Sequence, residues 1–109
     1  MKTEDAIALY LEHNRRRHLS KSTLRGMRAK LRRFDRFCLR VKKPNVGKLM
    51  VHDLMNFRRW LRTLKKRDGA RFSPAYIHVH LCQVLAMFDF LVSVSRQKKA
   101  SRIVNREQR

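Results

Sequence analysis

The sequence predicts an all-α fold of four helices, and three observations carry that expectation. Apolar residues recur at steps of three and four through most of the chain, no run alternates apolar and polar residues as a strand would, and hydroxyl or proline start signals stand ahead of the periodic segments. With 109 residues, 43% of them hydrophobic, the chain has enough apolar mass for one core and too little for two.

The first helix is expected from Thr3 to about His13, with Thr3 as the cap and Glu4 and Asp5 at the positive end of the helix dipole. Ile7, Leu9, Tyr10 and Leu11 supply its apolar side. The polar stretch NRRRHLSKS follows, and Ser20 or Ser22 caps what comes next. The second helix, about Lys21 to Arg40, has the clearest period: Leu24, Met27, Leu31, Phe34, Cys38 and Val41 form one stripe. Arg25, Arg28, Arg32, Arg36 and Arg40 follow similar steps on another face, with Lys30 and Arg33 at the flanks.

Pro44, Asn45 and Gly47 mark a loop, after which a third helix is expected from Val51 to Arg67, stopping at Asp68-Gly69. Its stripe is Leu54, Phe57, Leu61 and Leu64, with Trp60 alongside. Ser73-Pro74 is the strongest start signal in the chain, a capping hydroxyl followed by proline at the first helical position. The fourth helix is expected from Pro74 to Ser95. Ile77, Leu81, Val84, Leu85, Phe88 and Leu91 face the core, and a second apolar surface of Val79, Ala86, Phe90 and Val94 is available to a partner. Residues 1–95 then make one helical domain, and 96–109 read as a basic linker or tail.

Charge is the main functional signal. Lys and Arg number 28 against 8 acidic residues, giving a formal charge of +20. The excess runs through the helices rather than sitting in one terminal block, so it forms a surface on a folded body and favours polyanions. Flanked by basic residues, Ile77 to Ser95 is long enough to span a membrane. His78, His80, Gln83 and Asp89 oppose insertion, the aspartate alone costing roughly 2.5–3.5 kcal/mol at mid-membrane. No membrane partner is expected.

Catalytic and metal motifs are missing from the sequence. The three glycines form no phosphate loop, and GxSxG, HExxH and CxxC do not occur. His78 and His80 stand two apart and so do not share a helix face, which argues against a metal pair; an edge position or a phosphate contact suits them better. Cys38 and Cys82 lie among apolar residues and read as buried free thiols of a reducing, cytoplasmic compartment. No enzyme activity, metal or cofactor is expected. Phe34, Phe37, Phe57, Phe88 and Phe90 fall on or beside the stripes and read as core rather than as platforms for unpaired bases.

The helix starts LSKSTLRGM and FSPAYIHVHL resemble each other, each offering hydroxyls and backbone N–H groups beside basic residues. In order along the chain, AIALYLEHN, LSKSTLRGMRAKLRRFDRFC, VHDLMNFRRWLRTL and SPAYIHVHLCQVLAMFDFL resemble the N-terminal core-binding domain of tyrosine recombinases, the phage-integrase family. Tyr76 stands where that family usually has a second Thr, Met50 where a hydroxyl cap is usual, and Asn105-Arg106 where Asn-Pro is common.

The resemblance implies an orthogonal, SAM-like four-helix bundle that packs on duplex DNA as the non-catalytic half of a clamp. The catalytic Arg, Lys, His-x-x-Arg and Tyr set of the family has no counterpart in these residues, so a full-length parent would supply the cutting and joining. The resemblance places Ser22, Thr23, Gly26 and Ser73 close to DNA. Charge and position add Lys21, Arg25, Arg28, Arg32 and Arg71 as phosphate contacts. The expected partners are double-stranded DNA at the nucleoid and other recombinase subunits docking on the fourth helix. A helical protein-interaction or oligomerisation module and a basic RNA-binding protein are the alternative readings.

Overall fold

The computed structural model describes the backbone of residues 1–107 and the side chains of residues 1–97. It is all-helical, with four α-helices: α1 (Thr3–Arg16), α2 (Lys21–Arg40), α3 (Val51–Thr63) and α4 (Pro74–Glu107). A single 3-10 turn, Val46–Lys48, precedes α3. α2 and α4 touch each other and both touch α1 and α3, so they form the middle of the bundle.

Helix α1 begins where expected but for a different reason. Thr3 is no cap: it is fully buried, and both its N–H (2.7 Å) and its hydroxyl (3.0 Å) donate to the Pro44 carbonyl. The Val46 N–H donates to the Met1 carbonyl at 3.0 Å, so the chain start is laced to the loop between α2 and α3. α1 continues one turn past the expected end at His13. Asn14 is buried there and donates to the Tyr10 carbonyl at 2.9 Å. Of its expected apolar side, Ile7 and Tyr10 are buried and Leu9 is exposed.

Helix α2 matches the expected span. The Ser20 Oγ accepts from the Thr23 N–H at 3.1 Å, which selects Ser20 over Ser22 as the cap. Met27, Leu31, Phe34 and Cys38 are buried as the stripe requires, joined by Phe37, while Val41 lies past the helix end and is exposed. The exit is a Schellman-type reversal, with Lys43 N–H on the Cys38 carbonyl (2.8 Å) and Lys42 N–H on the Leu39 carbonyl (3.1 Å). Lys42 takes the left-handed position, φ 60°, that glycine usually fills.

Helix α3 opens without a hydroxyl cap. Asp53 compensates: its carboxylate accepts from the Met50 N–H at 2.8 Å and from Lys43 Nζ at 3.0 Å. Burial pulls the Asp53 pKa upward, but those two donors and nearby His52 outweigh it and hold the carboxyl below its ordinary value.

The expected end at Arg67 is wrong. α3 stops at Thr63, whose hydroxyl donates to the Trp60 carbonyl at 2.7 Å, and Leu64 turns extended. Lys65 and Arg71 pair across a tight turn in which Lys66 N–H donates to the Ala70 carbonyl at 2.8 Å. Gly69, at φ 83°, serves that turn and not a helix end.

Ser73 caps α4, its Oγ accepting from the Tyr76 N–H at 3.1 Å. The helix runs to Glu107, past the expected stop at Ser95, so residues 96–107 are a continuation of α4. The basic side chains expected there as a tail from residue 98 onward lie outside the described residues.

Phe34, Phe37, Phe57 and Trp60 knit α2 to α3, with Phe34 and Phe57 edge-on at 5.1 Å and Phe37 and Trp60 at 5.7 Å. Leu31, Leu61, Ile77, Val84 and Met87 complete the interior. Phe90 packs on Tyr10 and His13, closing α4 onto α1.

Two expectations about α4 change as a result. Phe90 and Ala86 belong to the core packing and are not a free surface; the exposed apolar residues are Val79, Leu85 and Val92. Cys82 is exposed rather than buried, whereas Cys38 is buried and its thiol is pushed up to about 11, chiefly by burial. Pro74–Gln97 is long and apolar enough to cross a membrane by length and composition alone. Packing against the other three helices buries 22% of its most apolar window.

Candidate nucleic-acid interface

The basic residues of α2 divide between two sides, because each residue advances about 100° around the helix. Lys21, Arg25, Arg28 and Arg32, at steps of four, three and four, fall on the side that faces α1. Arg28 and Arg32 line a cleft of about 610 Å³ there together with Arg15, and the same cleft holds Glu4, Glu12 and Asp35. Glu12 already binds Arg15 at 2.7 Å and Arg16 at 3.3 Å, and the Arg15 hydrogen bond above all holds its carboxyl at about 2. Burial, reinforced by Glu4, raises the Asp35 carboxyl. This side is a mixed-charge surface.

Ser22, Thr23, Gly26, Lys30 and Arg33 occupy the other side, where Lys30 and Arg33 meet the start of α4. Lys30 Nζ lies 3.4 Å from the Gly26 carbonyl, to which it donates, and 5.8 Å from the centre of the Tyr76 ring. Arg33 Nη1 donates to Tyr76 Oη at 3.0 Å and sits 3.0 Å from His80 Nε2, with its guanidinium 5.0 Å from the Phe72 ring centre. Ser73 stands directly before this contact. One strip therefore runs from the start of α2 to the start of α4, a distance of roughly 16 Å along α2 from Ser22 to Arg33.

His80, expected at an edge, is fully buried and fixes the strip from behind. Its Nδ1 is 2.8 Å from the Tyr76 carbonyl, which can only accept, and its Nε2 faces the Arg33 guanidinium, which can only donate. Both partners are satisfied by the neutral imidazole with its proton on Nδ1. Burial lowers the His80 pKa below 6.5, the Tyr76 carbonyl opposes this, and Arg33 and Lys30 add to the lowering.

Because the folded-state value is depressed, the stability contributed by neutral His80 is complete above the unfolded value and is lost as pH falls through the folded one. Urea unfolding should therefore show a lower midpoint at about pH 5 than at about pH 7.5, and His80→Gln should flatten that difference. An unchanged difference in the variant would contradict this assignment.

The helix starts offer fewer open donors than the sequence suggests. In α2, Ser20 occupies both the Thr23 N–H and its hydroxyl, and its carbonyl accepts from the Leu24 N–H, so Lys21 and Ser22 N–H remain. In α4, Pro74 has no N–H, and Ser73 takes those of Tyr76 and Ile77, so Ala75 N–H remains. Thr23 is consequently engaged by the Ser20 cap, its hydroxyl oxygen accepting from Ser20 Oγ at 2.8 Å. A Cβ on Gly26 would meet only Lys30 Nζ, at 3.5 Å, so the glycine is not sterically demanded.

Arg71 joins a different group. With Arg58 and Arg62 of α3 it lines a cleft of about 530 Å³ over Phe72, Pro74, Ile77, His78 and Leu81, and no carboxylate lines it. This cleft borders the start of α4, so Arg71 and Ser73 share a neighbourhood that Lys21, Arg25, Arg28 and Arg32 do not. Lys30, Arg33 and Tyr76 are the residues of this strip that the charge pattern of the sequence ranked low. Among the described residues no group of three or more His, Cys, Asp or Glu is placed to hold a metal ion. Comparison with protein-family models, with curated proteins and with solved structures gives no match to this chain.

Proposed function

We propose that the chain is a duplex-DNA-binding module that grips the sugar-phosphate backbone with the strip from Ser22 to Ser73. Lys30, Arg33, Arg71 and the open amides of Lys21, Ser22 and Ala75 are its donors. The observation that carries this reading is the junction at Arg33, where the middle of α2 is fastened to the start of α4. Arg58 and Arg62 extend that surface beyond Arg71 with no carboxylate in the cleft they line.

The net charge of +20 supplies attraction over a longer range, and the mixed-charge cleft beside α1 contributes to that field without being a contact site. The resemblance to tyrosine-recombinase core-binding domains supports the same surface, since it also brings the second and fourth helix starts to DNA. In that reading the bundle is SAM-like and non-catalytic, one half of a clamp whose other half carries the chemistry.

Backbone contacts give affinity with a characteristic salt signature. Log K should fall linearly with log salt, by about 0.9 per phosphate contacted on a duplex. Fluorescence anisotropy with a labelled duplex, competed by unlabelled duplex and by structured RNA at one salt concentration, tests the proposal. Duplex should compete better than RNA of equal charge. RNA competing equally well or better would reject the DNA assignment.

A further inference from the structure

Seven large apolar side chains of this charge-rich protein are between 49% and 78% exposed; Met1 and Leu39 belong to the chain start and α2, and the other five are Met50, Val51, Met55, Leu85 and Val92. They are not scattered. Met50, Val51 and Leu85 line one groove of about 400 Å³ between the start of α3 and the middle of α4, floored by Phe34 and walled by Leu49, Leu54 and Phe88. Met55 and Val92 lie one helical turn beyond Val51 and Phe88 on the same helix sides. Such a contiguous apolar patch on a soluble surface marks an interaction site.

The α4 wall has a definite shape. Leu85, Phe88 and Val92 follow steps of three and four, the spacing of a seam that receives the side chains of another helix. The one charged residue lining the groove, Asp53, is 4% exposed and already engaged by Lys43 and the Met50 N–H, so no free charge meets the occupant. Exposed cations, Lys48 and Arg59, stand on the same stretch of chain as the α3 wall. A second copy of this +20 chain would bring like charge to that rim.

We infer that the groove docks an amphipathic helix of another protein, one with an apolar seam and acidic residues flanking it. This site goes beyond the DNA-binding reading and does not depend on it. Leu85 lies nine residues, about 180° around α4, from Tyr76, so helix and duplex can be held at once on opposite sides.

The test uses a three-heptad peptide with leucine at the seam positions and glutamate on both flanks, against the same peptide with serine at the seam. The leucine peptide should bind at high salt and shift the methyl signals of Met50, Met55, Leu85 and Val92. Val51→Asp with Leu85→Asp should weaken that binding roughly tenfold or more while leaving helicity and duplex binding unchanged. Both substituted residues are exposed, and circular dichroism checks that the variant folds.

The serine-seam peptide carries the same charge, so equal binding of both peptides would show non-specific attraction and overturn the proposal. It is also overturned if neither peptide binds, if the double variant binds as well as the parent, or if the chain alone dimerises through these residues in sedimentation equilibrium. Equal shifts of the same methyls on anionic vesicles, abolished by the variant, would make the face a lipid contact and reject it too.

Discussion

Lys30→Glu combined with Arg71→Glu should lower duplex affinity by about a hundredfold at about 0.1 M salt, a loss of about 2.8 kcal/mol. Two phosphate contacts are removed, so the slope of log K against log salt should shrink by about 1.8. Lys30 sits over Tyr76 and Arg71 borders the first turn of α4, so the pair samples both parts of the proposed surface. Neither residue fills the core, and helicity should be unchanged.

The paired control is Arg28→Glu with Arg32→Glu. Those arginines face a cleft that already holds Glu4, Glu12 and Asp35, so in the proposed reading they act only through a screened field. Their reversal should cost less than about tenfold. If the control variant loses more affinity than the Lys30 and Arg71 variant, the strip is misassigned and the α1 side of α2 is the contact.

Phe57→Ala should remove about 3–5 kcal/mol of folding stability, a large share of the roughly 5–15 kcal/mol typical of a domain. Phe57 is fully buried and touches Phe34, Phe37 and Trp60, so truncation opens a cavity where α2 and α3 meet. Urea unfolding should show a lower midpoint with an unchanged slope, while the exposed Met55→Ala should shift stability by no more than about 0.5 kcal/mol. This comparison also separates core aromatics from base-stacking platforms. A Phe57→Ala protein of near-normal stability that failed to bind nucleic acid would reverse that assignment.

Local chemistry made much of the bundle legible. The α2 stripe has one period over five turns, and the starts at Ser20 and at Ser73-Pro74 need only a hydroxyl and a proline in sequence, so tertiary context left them intact. The misplaced boundaries depend on contacts from distant segments. Thr3 is drawn inward by the Pro44 carbonyl, 41 residues away, and a lysine takes the left-handed position at the end of α2. Leu64 continues the helical period of α3 even though the backbone has already turned extended to pair Lys65 with Arg71.

The interface was legible by residue type and not by side. Ser22 and Gly26 stand on the face of α2 that carries Lys30 and Arg33, and Arg71 and Ser73 at the start of α4, but the period that groups Arg25, Arg28 and Arg32 turns Arg28 and Arg32 toward α1. Only packing decides which basic face a neighbour covers with carboxylates. Arg33 shows the same limit from the other direction: its tie to Tyr76 and His80, 43 and 47 residues away, leaves no mark in the local pattern.

The central claim is that one cationic strip, fastened at Arg33, receives the duplex. Titrating isotope-labelled protein with a short duplex and following backbone amide signals tests it residue by residue. The largest changes should fall on Lys21, Ser22, Lys30, Ala75 and Tyr76. Changes centred on Arg25, Arg28, Arg32 and Arg36, or spread evenly over all four helices, would contradict it.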